Sequence, residues 1–218
     1  MGEYAIIGGY NTLEDWGIDL YDVEIGLPEV KTRFLELPLE SGNIDLSEAV
    51  TGRPSYGPRE IKLFLGKKDK FPFRWAETIT DIARAVHGKR LRIWLSFDPN
   101  YYYIGRISCE TEKISYRRSI YTITAVCDPY KYYRDVTERT VTVDGTTDVT
   151  LDNMDMIVSP TFTTEANNIT VSCNGEAALS IFPGTDFNIP EILLLPGANQ
   201  LKFTGSGVVT IRYQEGTL

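Results

Sequence analysis

The sequence predicts a mainly β protein with one α-helix, in which an N-terminal β-sandwich-like domain precedes a small C-terminal antiparallel β-sandwich of the jelly-roll or galectin-like type. Three observations lead to this fold class. Most apolar runs alternate apolar and polar residues, as half-buried strands do. A stripe with helical spacing occurs once, between Phe73 and Val86. After Tyr133 the chain becomes rich in Thr and Val and is broken by regularly spaced turn signals, which is typical of a small sandwich.

Length and composition set the domain count. A chain of 218 residues is long for one ordinary domain and comfortable for two, which we place at 1–133 and 134–218. The hydrophobic fraction of 42% is sufficient for packed cores. No run approaches the roughly 18 apolar residues of a membrane span, and the start, MGEYAIIGGY, lacks the pattern of a signal peptide. We therefore expect a soluble chain with no membrane partner.

The first domain begins with strands separated by glycine and proline. Gly8 and Gly9 interrupt the first strand and indicate a bulge or a close backbone approach there. The residues from Ser41 to Gly57 predict a long ordered loop whose only possible helix is Leu46–Val50, and Gly66–Lys70 predicts a hairpin tip. The strands predicted here are Tyr4–Ile7, Ile18–Ile25, Arg33–Leu39 and Glu60–Leu65.

The helix is predicted from local signals. Trp75, Ile79, Ile82 and Val86 recur at helical spacing on one face. Gly88 follows where a left-handed residue ends many helices, and the cations Lys89 and Arg90 come next to the negative end of the helix dipole.

Three strands close the first domain. Residues 91–97 alternate so that Leu91, Ile93, Leu95 and Phe97 share the buried face. Asp98, Pro99 and Asn100 form a turn into a strand over Tyr101–Ile107, and a third strand runs from Ser119 to Cys127. It stops at Asp128-Pro129, because proline cannot donate to a ladder.

The second domain is predicted from its turns. They fall at Asp144-Gly145, Asn153, Asn174-Gly175, Pro183-Gly184, Pro196-Gly197 and Gly205–Gly207. Pro160 places its segment at a sheet edge, since a proline in a central strand breaks the ladder. The alternating pairs predicted to face inward are Val141/Val143, Val149/Leu151, Ile169/Val171, Leu179/Ile181, Leu201/Phe203 and Val209/Ile211.

The net charge of −8 is concentrated in the second domain. From Arg134 onward there are 4 basic and 11 acidic residues, which leaves 18 basic and 19 acidic residues before it out of 22 and 30. The acidic second domain repels phosphate backbones, which disfavours nucleic-acid binding there, whereas the first domain is nearly neutral.

Three motifs in the first domain resemble a known family. They are the run GNIDLSEAVTGRPSYGPREIKLFL, the strand DPNYYYIGRI, and the later strand ending in CDPYKYY. Taken together and in this order they resemble the N-terminal domain of the distal tail proteins of siphophages. The resemblance covers most of residues 1–133, and the rest matches only the general style of the short C-terminal sandwich of some members. The matching residues of the motifs are Gly42, Asp45, Tyr56, Arg59, Asp98, Pro99, Tyr102, Gly105, Arg106, Asp128, Pro129 and Tyr130.

The resemblance implies a structural role in a phage or prophage tail. It implies a hexameric ring, a baseplate hub that joins the tail tube protein to a tail-tip or tail-associated protein. DNA would contact it only in transit through its channel. The protein would be assembled in the bacterial host cytoplasm and end at the virion tail tip. The alternative is a host-recognition module whose C-terminal sandwich binds carbohydrate, for which Phe182 and Phe187 are the aromatics near predicted loops.

A head-to-tail ring requires two different patches on each subunit. Exposed loops of the first domain are the places where one copy can reach the next, and their backbone edges can add to a neighbour's sheet. The residues we select as candidate ring contacts are Ser41, Asn43, Gly66, Lys67 and Lys68.

Motifs for catalysis or cofactors are weak in this sequence. The single histidine, His87, lies at a predicted helix end, where a capping role is commoner than catalysis. Glu110 and Glu112 share a strand face but are more simply a solvated pair, and Asp152 and Asp155 lack the density of a calcium loop. Three cysteines without CxxC spacing favour free thiols, although Cys109 and Cys127 fall on adjacent predicted strands. We expect a non-enzyme without cofactor or metal.

Two further side-chain groups have open interpretations. The run Tyr101–Tyr103 predicts sheet packing on at least one face, and any exposed Tyr would suit a subunit contact first and a sugar second. Arg59 and Arg106 either pair with Asp45 or Asp98 to fix the long loop or are simply solvated, and the sequence favours neither.

Overall fold

The computed structural model describes residues 2–36, 42–49, 52–67, 72–110 and 119–218. The chain divides into two compact units, Met1–Lys131 and Tyr132–Leu218. Each has its own hydrophobic core. Both are built from antiparallel strands, and α1 is the one helix in the described ranges, so the predicted mainly β fold class is confirmed.

The first unit contains one large sheet, a two-stranded sheet and the helix. Seven strands of the large sheet lie in the order β2-β1-β7-β8-β9-β6-β3. The elements are β1 (Ala5–Ile7), β2 (Tyr10–Asn11), β3 (Asp19–Ile25), β4 (Phe34–Glu36), β5 (Asn43–Asp45), β6 (Arg59–Lys67), α1 (Pro72–Val86), β7 (Arg90–Leu95), β8 (Tyr101–Glu110) and β9 (Ser119–Cys127).

One face of the large sheet is covered by the helix. Trp75, Ile82 and Val86 of α1 are buried in the same core as Ile93 of β7 and Ile123 of β9. This follows from the predicted apolar stripe, which is confirmed. The opposite face of the sheet carries the charged and hydroxyl side chains that alternate with the core residues, and we call it the outward face.

The predicted end of the helix is also confirmed. Gly88 has φ of 73°, a left-handed conformation that favours glycine, and its N–H donates to the Ile107 carbonyl over 2.8 Å. The Lys89 ammonium donates to the Ala85 carbonyl at 2.6 Å. The unpaired carbonyls of the last turn are therefore capped by a cation, as the dipole favours.

Some expectations for the first unit are wrong. Gly8 and Gly9 are not a bulge but the turn of a hairpin, since Ile7 pairs with Tyr10 and both glycines have positive φ. The predicted long loop contains β5, which pairs with β4, and Ser47–Ala49 form a turn. The buried alternation ends at Leu95, because the chain turns at Ser96 and leaves Phe97 exposed.

The second unit contains a six-stranded sheet that folds back on itself. Five strands lie in the order β14-β13-β16-β12-β15, and β11 pairs with β16 along all 17 residues of both strands. β10 pairs with β17. The elements are β10 (Lys131–Tyr133), β11 (Thr137–Asn153), β12 (Thr161–Thr164), β13 (Ile169–Cys173), β14 (Leu179–Ile181), β15 (Gly184–Asn188), β16 (Gly197–Tyr213) and β17 (Gly216–Thr217).

The fold-back occurs at glycines of the long strands. The first half of β16 pairs with β13 and the second half with β12, and Phe203 and Phe162 from these two halves meet edge to face at 6.3 Å. A Cβ on Gly205 would lie 2.3 Å from the Asn168 carbonyl oxygen. Glycine at the bend thus lets the two halves approach and enclose a common core.

The inward-facing pairs predicted for this unit are confirmed, with Leu179 partly buried and the other eleven residues buried. Two other expectations are wrong. Asp144-Gly145 and Gly205–Gly207 do not end strands, because β11 and β16 continue through them in register. Pro160 does not mark an edge strand: it comes one residue before β12, which has a neighbour on each side.

Candidate functional site

Most of the motif residues that resemble the distal tail family lie at one end of the large sheet, whereas Gly42 and Asp45 lie at the two-stranded sheet of β4 and β5. Arg59 of β6 lies opposite Cys127 of β9, and Cys127 lies opposite Gly105 of β8. A Cβ on Gly105 would be 2.4 Å from the Cys127 Sγ and 2.9 Å from the Val126 carbonyl oxygen. Glycine is therefore required sterically at this point. We call Arg59, Gly105 and Cys127, with the tyrosines around them, the motif cluster.

Arg59 is a buried cation within the motif cluster. Its side chain is on the core face, and the residue is 3% exposed. The guanidinium carbon lies 5.6 Å from the centre of the Tyr103 ring, a cation–π distance, while Nε and Nη2 have no hydrogen-bond partner among the described residues. Burial raises the pKa of Tyr103, and the charges of Lys131 and Arg59 oppose that rise. The aromatic face therefore interacts with this cation where water would otherwise solvate it.

Neither predicted pairing of the arginines with aspartates occurs. Arg106 donates to the Gly88 carbonyl at 2.6 Å. Hydrogen bonds from the Ser47 side chain and from the Ser47 N–H, at 2.8 Å, lower the pKa of the Asp45 carboxyl. Asp98 instead pairs with Lys131 at 2.9 Å. Of the two open interpretations, the solvated one fits the exposed Arg106, whereas the buried Arg59 fits neither.

The proline-containing motifs sit in turns beside the sheet. Pro99 lies in the turn between β7 and β8, and Pro129 is the second residue after β9. Asp128 forms an ion pair with Arg90 at 2.5 Å. Tyr130 packs edge to face on Tyr56 with ring centres 6.0 Å apart. These residues fix the course of the chain at the ends of the strands.

The tyrosine run does not form an exposed row. Tyr102 and Tyr103 are both buried, on opposite faces of β8. Tyr102 lies 5.2 Å from the Trp94 ring on the outward face, and Arg92 stacks over it at 5.0 Å. Tyr101 is partly buried under the Lys131 ammonium. Sheet packing is therefore the role of this run, and the interpretation as an exposed contact surface is wrong.

Of the candidate ring contacts, one is exposed, one is buried, and the others lie partly or wholly outside the described residues. Asn43 is exposed on β5, and Gly42 precedes it with φ of 115°. Gly66 is buried inside β6, where it pairs with both Ile120 and Asp19, so the predicted hairpin tip is wrong at this residue. Ser41, Lys68 and the side chain of Lys67 lie outside the described part of the chain.

A protruding arm is the feature that the motifs did not reveal. It comprises residues 26–36, 42–49 and 52–58, between β3 and β6. The Gly57 N–H donates to the Glu29 carbonyl, Val30 and Tyr56 form a bridge, and β4 then pairs with β5. The β3–β6 hairpin thus continues outward as a narrow two-stranded ribbon. In the described ranges, β4 and β5 pair only with each other.

The arm exposes an unusual amount of apolar side chain. Leu27 is 86% exposed, and four other large apolar residues of the arm are about half exposed: Val30, Phe34, Leu35 and Ile44. A two-stranded ribbon is at best marginally stable alone in water, and apolar clusters of this kind mark contact sites. The individual residues are ordinary strand formers, so their exposure left no signal in the sequence.

The groups considered for chemistry are occupied in structural roles. His87 Nδ1 accepts from the Cys109 N–H at 3.0 Å, and Glu110 accepts from the Thr124 hydroxyl at 2.9 Å. Glu112 lies outside the described residues. The Asp155 carboxylate accepts from the Thr217 hydroxyl. Within the described ranges no group of three or more His, Cys, Asp or Glu side chains could hold a metal ion.

The three cysteines are free thiols. Cys109 pairs with Ile123 and Cys127 with Gly105, so the two sulfurs are not opposite each other on the adjacent strands. Burial raises the pKa of all three, with Asp128 adding to the rise for Cys127, which reaches about 12. Thiols that stay protonated are poor nucleophiles.

In the described part of the chain no helix has the length and hydropathy of a membrane span.

Comparison with known proteins finds a similar fold among solved structures. No protein-family model matches the sequence, and no curated protein matches it. Among solved structures, the chain is similar to the Dit protein (gp 19.1) of phage SPP1, described as a paradigm of the hub adsorption apparatus in phages that infect Gram-positive bacteria. The similarity covers 100% of both chains with a TM-score of 0.72 and 18% identity. The fold that the motif resemblance implied is thereby confirmed for the whole chain.

Proposed function

We propose that this protein is a non-enzymatic component of a phage or prophage tail, a distal-tail hub that assembles into a hexameric ring between the tail tube and the tail tip. The ring would line part of the channel through which DNA passes. Residues 1–133 would build the ring, with the tube protein and a tail-tip protein as the other partners. The protein would assemble in the host cytoplasm and function at the virion tail tip.

The observation that carries this proposal is the exposed apolar arm. A ribbon that displays Leu27, Phe34 and Leu35 to water gains free energy from any partner that covers it, at roughly 25 cal/mol per Å² of apolar surface. A neighbouring copy is the partner we favour, because a ring contact joins two different patches of the same chain and the arm supplies one of them. Likeness of the entire fold to a hub protein supports the same assignment.

The test compares two phenylalanines of equal exposure. Phe34 on the arm is 55% exposed and Phe97, in the turn after β7, is 54% exposed. Phe34→Ser is expected to shift the full-length protein from oligomer toward monomer, whereas Phe97→Ser should leave the distribution unchanged. Size-exclusion chromatography with light scattering over a concentration series measures the mass, and electron microscopy shows whether larger species are closed rings.

The outcomes separate this proposal from its alternative. If both variants assemble like the parent protein, the arm is not a ring contact. If the parent stays monomeric at every concentration and binds on a glycan array, the carbohydrate-binding role gains support. Phe182 and Phe187, whose rings meet at 5.5 Å with Phe182 exposed, are then the first residues to replace.

A further inference from the structure

The outward face of the large sheet has a cationic side. Arg90 of β7 lies directly opposite Arg106 of β8, and Arg92 follows two residues along on the same face. Like charges directly opposite each other destabilise a strand pair unless an anion compensates. Asp128 compensates Arg90, but Arg92 and Arg106 form no ion pair with any described residue. We call Arg90, Arg92 and Arg106 the cationic patch; all three are exposed.

The same face has an acidic side at the far edge of the sheet. Asp22 and Glu24 lie on β3, opposite Phe64 and Lys62 of β6. Both acids are exposed, and neither forms an ion pair within the described residues. The pKa of Lys62 is raised, first by its hydrogen bond to Glu60 and to a smaller extent by the charges of Glu24 and Glu110. We call Asp22 and Glu24 the acidic edge.

The register shows that both groups point the same way. Arg106 is opposite Val126, and Val126 is opposite Glu60, so one row of side chains crosses from β8 to β6 on the outward face. The next row runs from Ser108 through Thr124 and Lys62 to Glu24. Residues directly opposite each other, and residues two apart on one strand, share a face. The outward face therefore changes from positive to negative across the sheet.

The two patches are too far apart to neutralise each other within one copy. Four strand spacings of about 4.8 Å separate β7 from β3, roughly 19 Å in all. The Debye length at physiological ionic strength is about 8 Å, so the attraction between them is largely screened. β3 is also an edge strand of the sheet, with its second side unpaired in the described ranges. Each patch is thus available to a charge outside its own subunit.

We propose that neighbouring copies of this chain meet through these two patches, with the acidic edge of one copy against the cationic patch of the next. The inference rests on the proposed ring, because it supplies a heterologous contact of the kind that cyclic closure needs. A second copy is the partner that fits, since it carries both signs of charge in the required places. The net charge of the first domain is near zero and does not reveal these patches, because their opposite charges nearly cancel.

The decisive experiment uses two complementary full-length variants. One reverses the cationic patch with Arg92→Glu and Arg106→Glu, and the other reverses the acidic edge with Asp22→Lys and Glu24→Lys. Each alone brings like charges together at every contact, so its dissociation constant is expected to rise about tenfold or more. Mixed in equal amounts they restore attraction at every contact, provided that the two variants alternate around the assembly. Light scattering should therefore find assembly in the mixture and little in either variant.

Matched controls distinguish this contact from general charge effects and from misfolding. Arg84→Glu with Lys202→Glu gives the same net charge as the reversed cationic patch, on exposed residues elsewhere, and should assemble like the parent. Circular dichroism and tryptophan fluorescence verify that each variant is folded. For the parent protein, self-association should weaken between about 0.01 M and about 1 M salt, where the Debye length falls from about 30 Å to about 3 Å.

The possible results each decide the matter. Oligomers that persist in both reversed variants overturn the charge-paired contact and leave the ring itself standing. Variants that fail to assemble both alone and in the mixture also overturn it, because only the alternating contact predicts rescue. A parent chain that stays monomeric at low salt and high concentration overturns this contact and the self-assembled ring together. Assembly that appears only in the mixture supports the proposal.

Discussion

Replacing Gly105 with alanine tests whether the motif cluster is required for the stability of the first unit. The added Cβ would lie 2.4 Å from the Cys127 Sγ, 2.9 Å from the Val126 carbonyl oxygen and 3.1 Å from the Cys127 Cα. Two of these three atoms are backbone and cannot swing aside. Overpacking of this kind costs about 1–3 kcal/mol, against a gain of about 0.4–1 kcal/mol from the stiffer unfolded chain. We expect Gly105→Ala to lower the free energy of unfolding by about 1–2 kcal/mol.

The assay can be confined to the first unit. All three tryptophans, Trp16, Trp75 and Trp94, lie in that unit, so the midpoint of urea unfolding followed by tryptophan fluorescence reports its stability. Gly57→Ala is the matched control, because its Cβ would meet its nearest atoms only at 3.5 Å and 3.7 Å.

A double-mutant cycle identifies the cause. Cys127→Ala removes the nearest atom, so Gly105→Ala should cost less in that background, with a coupling energy of about 0.5–2 kcal/mol. If Gly105→Ala is as stable as the parent, or if its cost is the same with and without the Cys127 sulfur, the steric explanation is refuted.

Three other outcomes are expected from the structure. Trypsin should cut early after Arg134, which is exposed between β10 and β11, and release an N-terminal fragment that keeps its tryptophan fluorescence; mass spectrometry of the first fragments tests the proposed domain boundary. Gly205→Ala should destabilise the second unit by about 2 kcal/mol or more, because its Cβ would meet the Asn168 carbonyl oxygen at 2.3 Å; a lower second transition in calorimetry would show this, and an unchanged one would contradict it. Burial, with smaller effects of Glu215 and Asp152, raises the pKa of Tyr213 from about 10 to about 12. The neutral Tyr213 phenol therefore contributes its full stabilisation of the folded unit below about pH 10, and this stabilisation is lost as the pH rises toward 12. Thermal unfolding at pH 9 and pH 11 should therefore show a smaller loss of stability in Tyr213→Phe than in the parent.

Features set by local chemistry were predicted well from the sequence. The helix was recognisable because its stripe, its glycine cap and its terminal cations lie within one segment. Alternate residues of one strand, such as Val141 and Val143 in the second unit, face the same side because a strand has a period of two. This holds whatever the neighbouring strands are. These properties need no knowledge of which strands pair.

Features set by distant partners were not predicted. Gly145 and Gly205 look like turn residues in sequence, yet they pair with each other and let two 17-residue strands continue through a bend. Pro160 is compatible with a central strand because it precedes the first ladder position of β12. In both cases the residue type favours a turn or an edge, and the partner strand, which the sequence does not show, decides the structure.

The side-chain partners of the candidate site depended on the same missing knowledge. The sequence alone leaves Arg59 between an aspartate partner and solvent, whereas its neighbour in the structure is the Tyr103 ring, two strands away through β9. The exposed arm escaped notice for a related reason. Phe34 and Leu35 follow the pattern of any strand, and only the tertiary structure shows that no described strand covers them.

The motif residues and the proposed contact residues are largely different sets, and this separation has a physical basis. Arg59, Gly105 and Tyr102 are buried, so they act on the stability and shape of the sheet and cannot touch a partner. Glu24 and Phe34 are exposed and belong to no motif, so a substitution there has little effect on the fold. A resemblance confined to motifs therefore identifies the scaffold, while the proposed contacts between copies depend on exposed charge and apolar surface. It follows that Gly105→Ala should change the stability of each subunit and leave its oligomeric state intact wherever it is folded. Reversal of the acidic edge should leave the stability of each subunit unchanged and weaken its self-association.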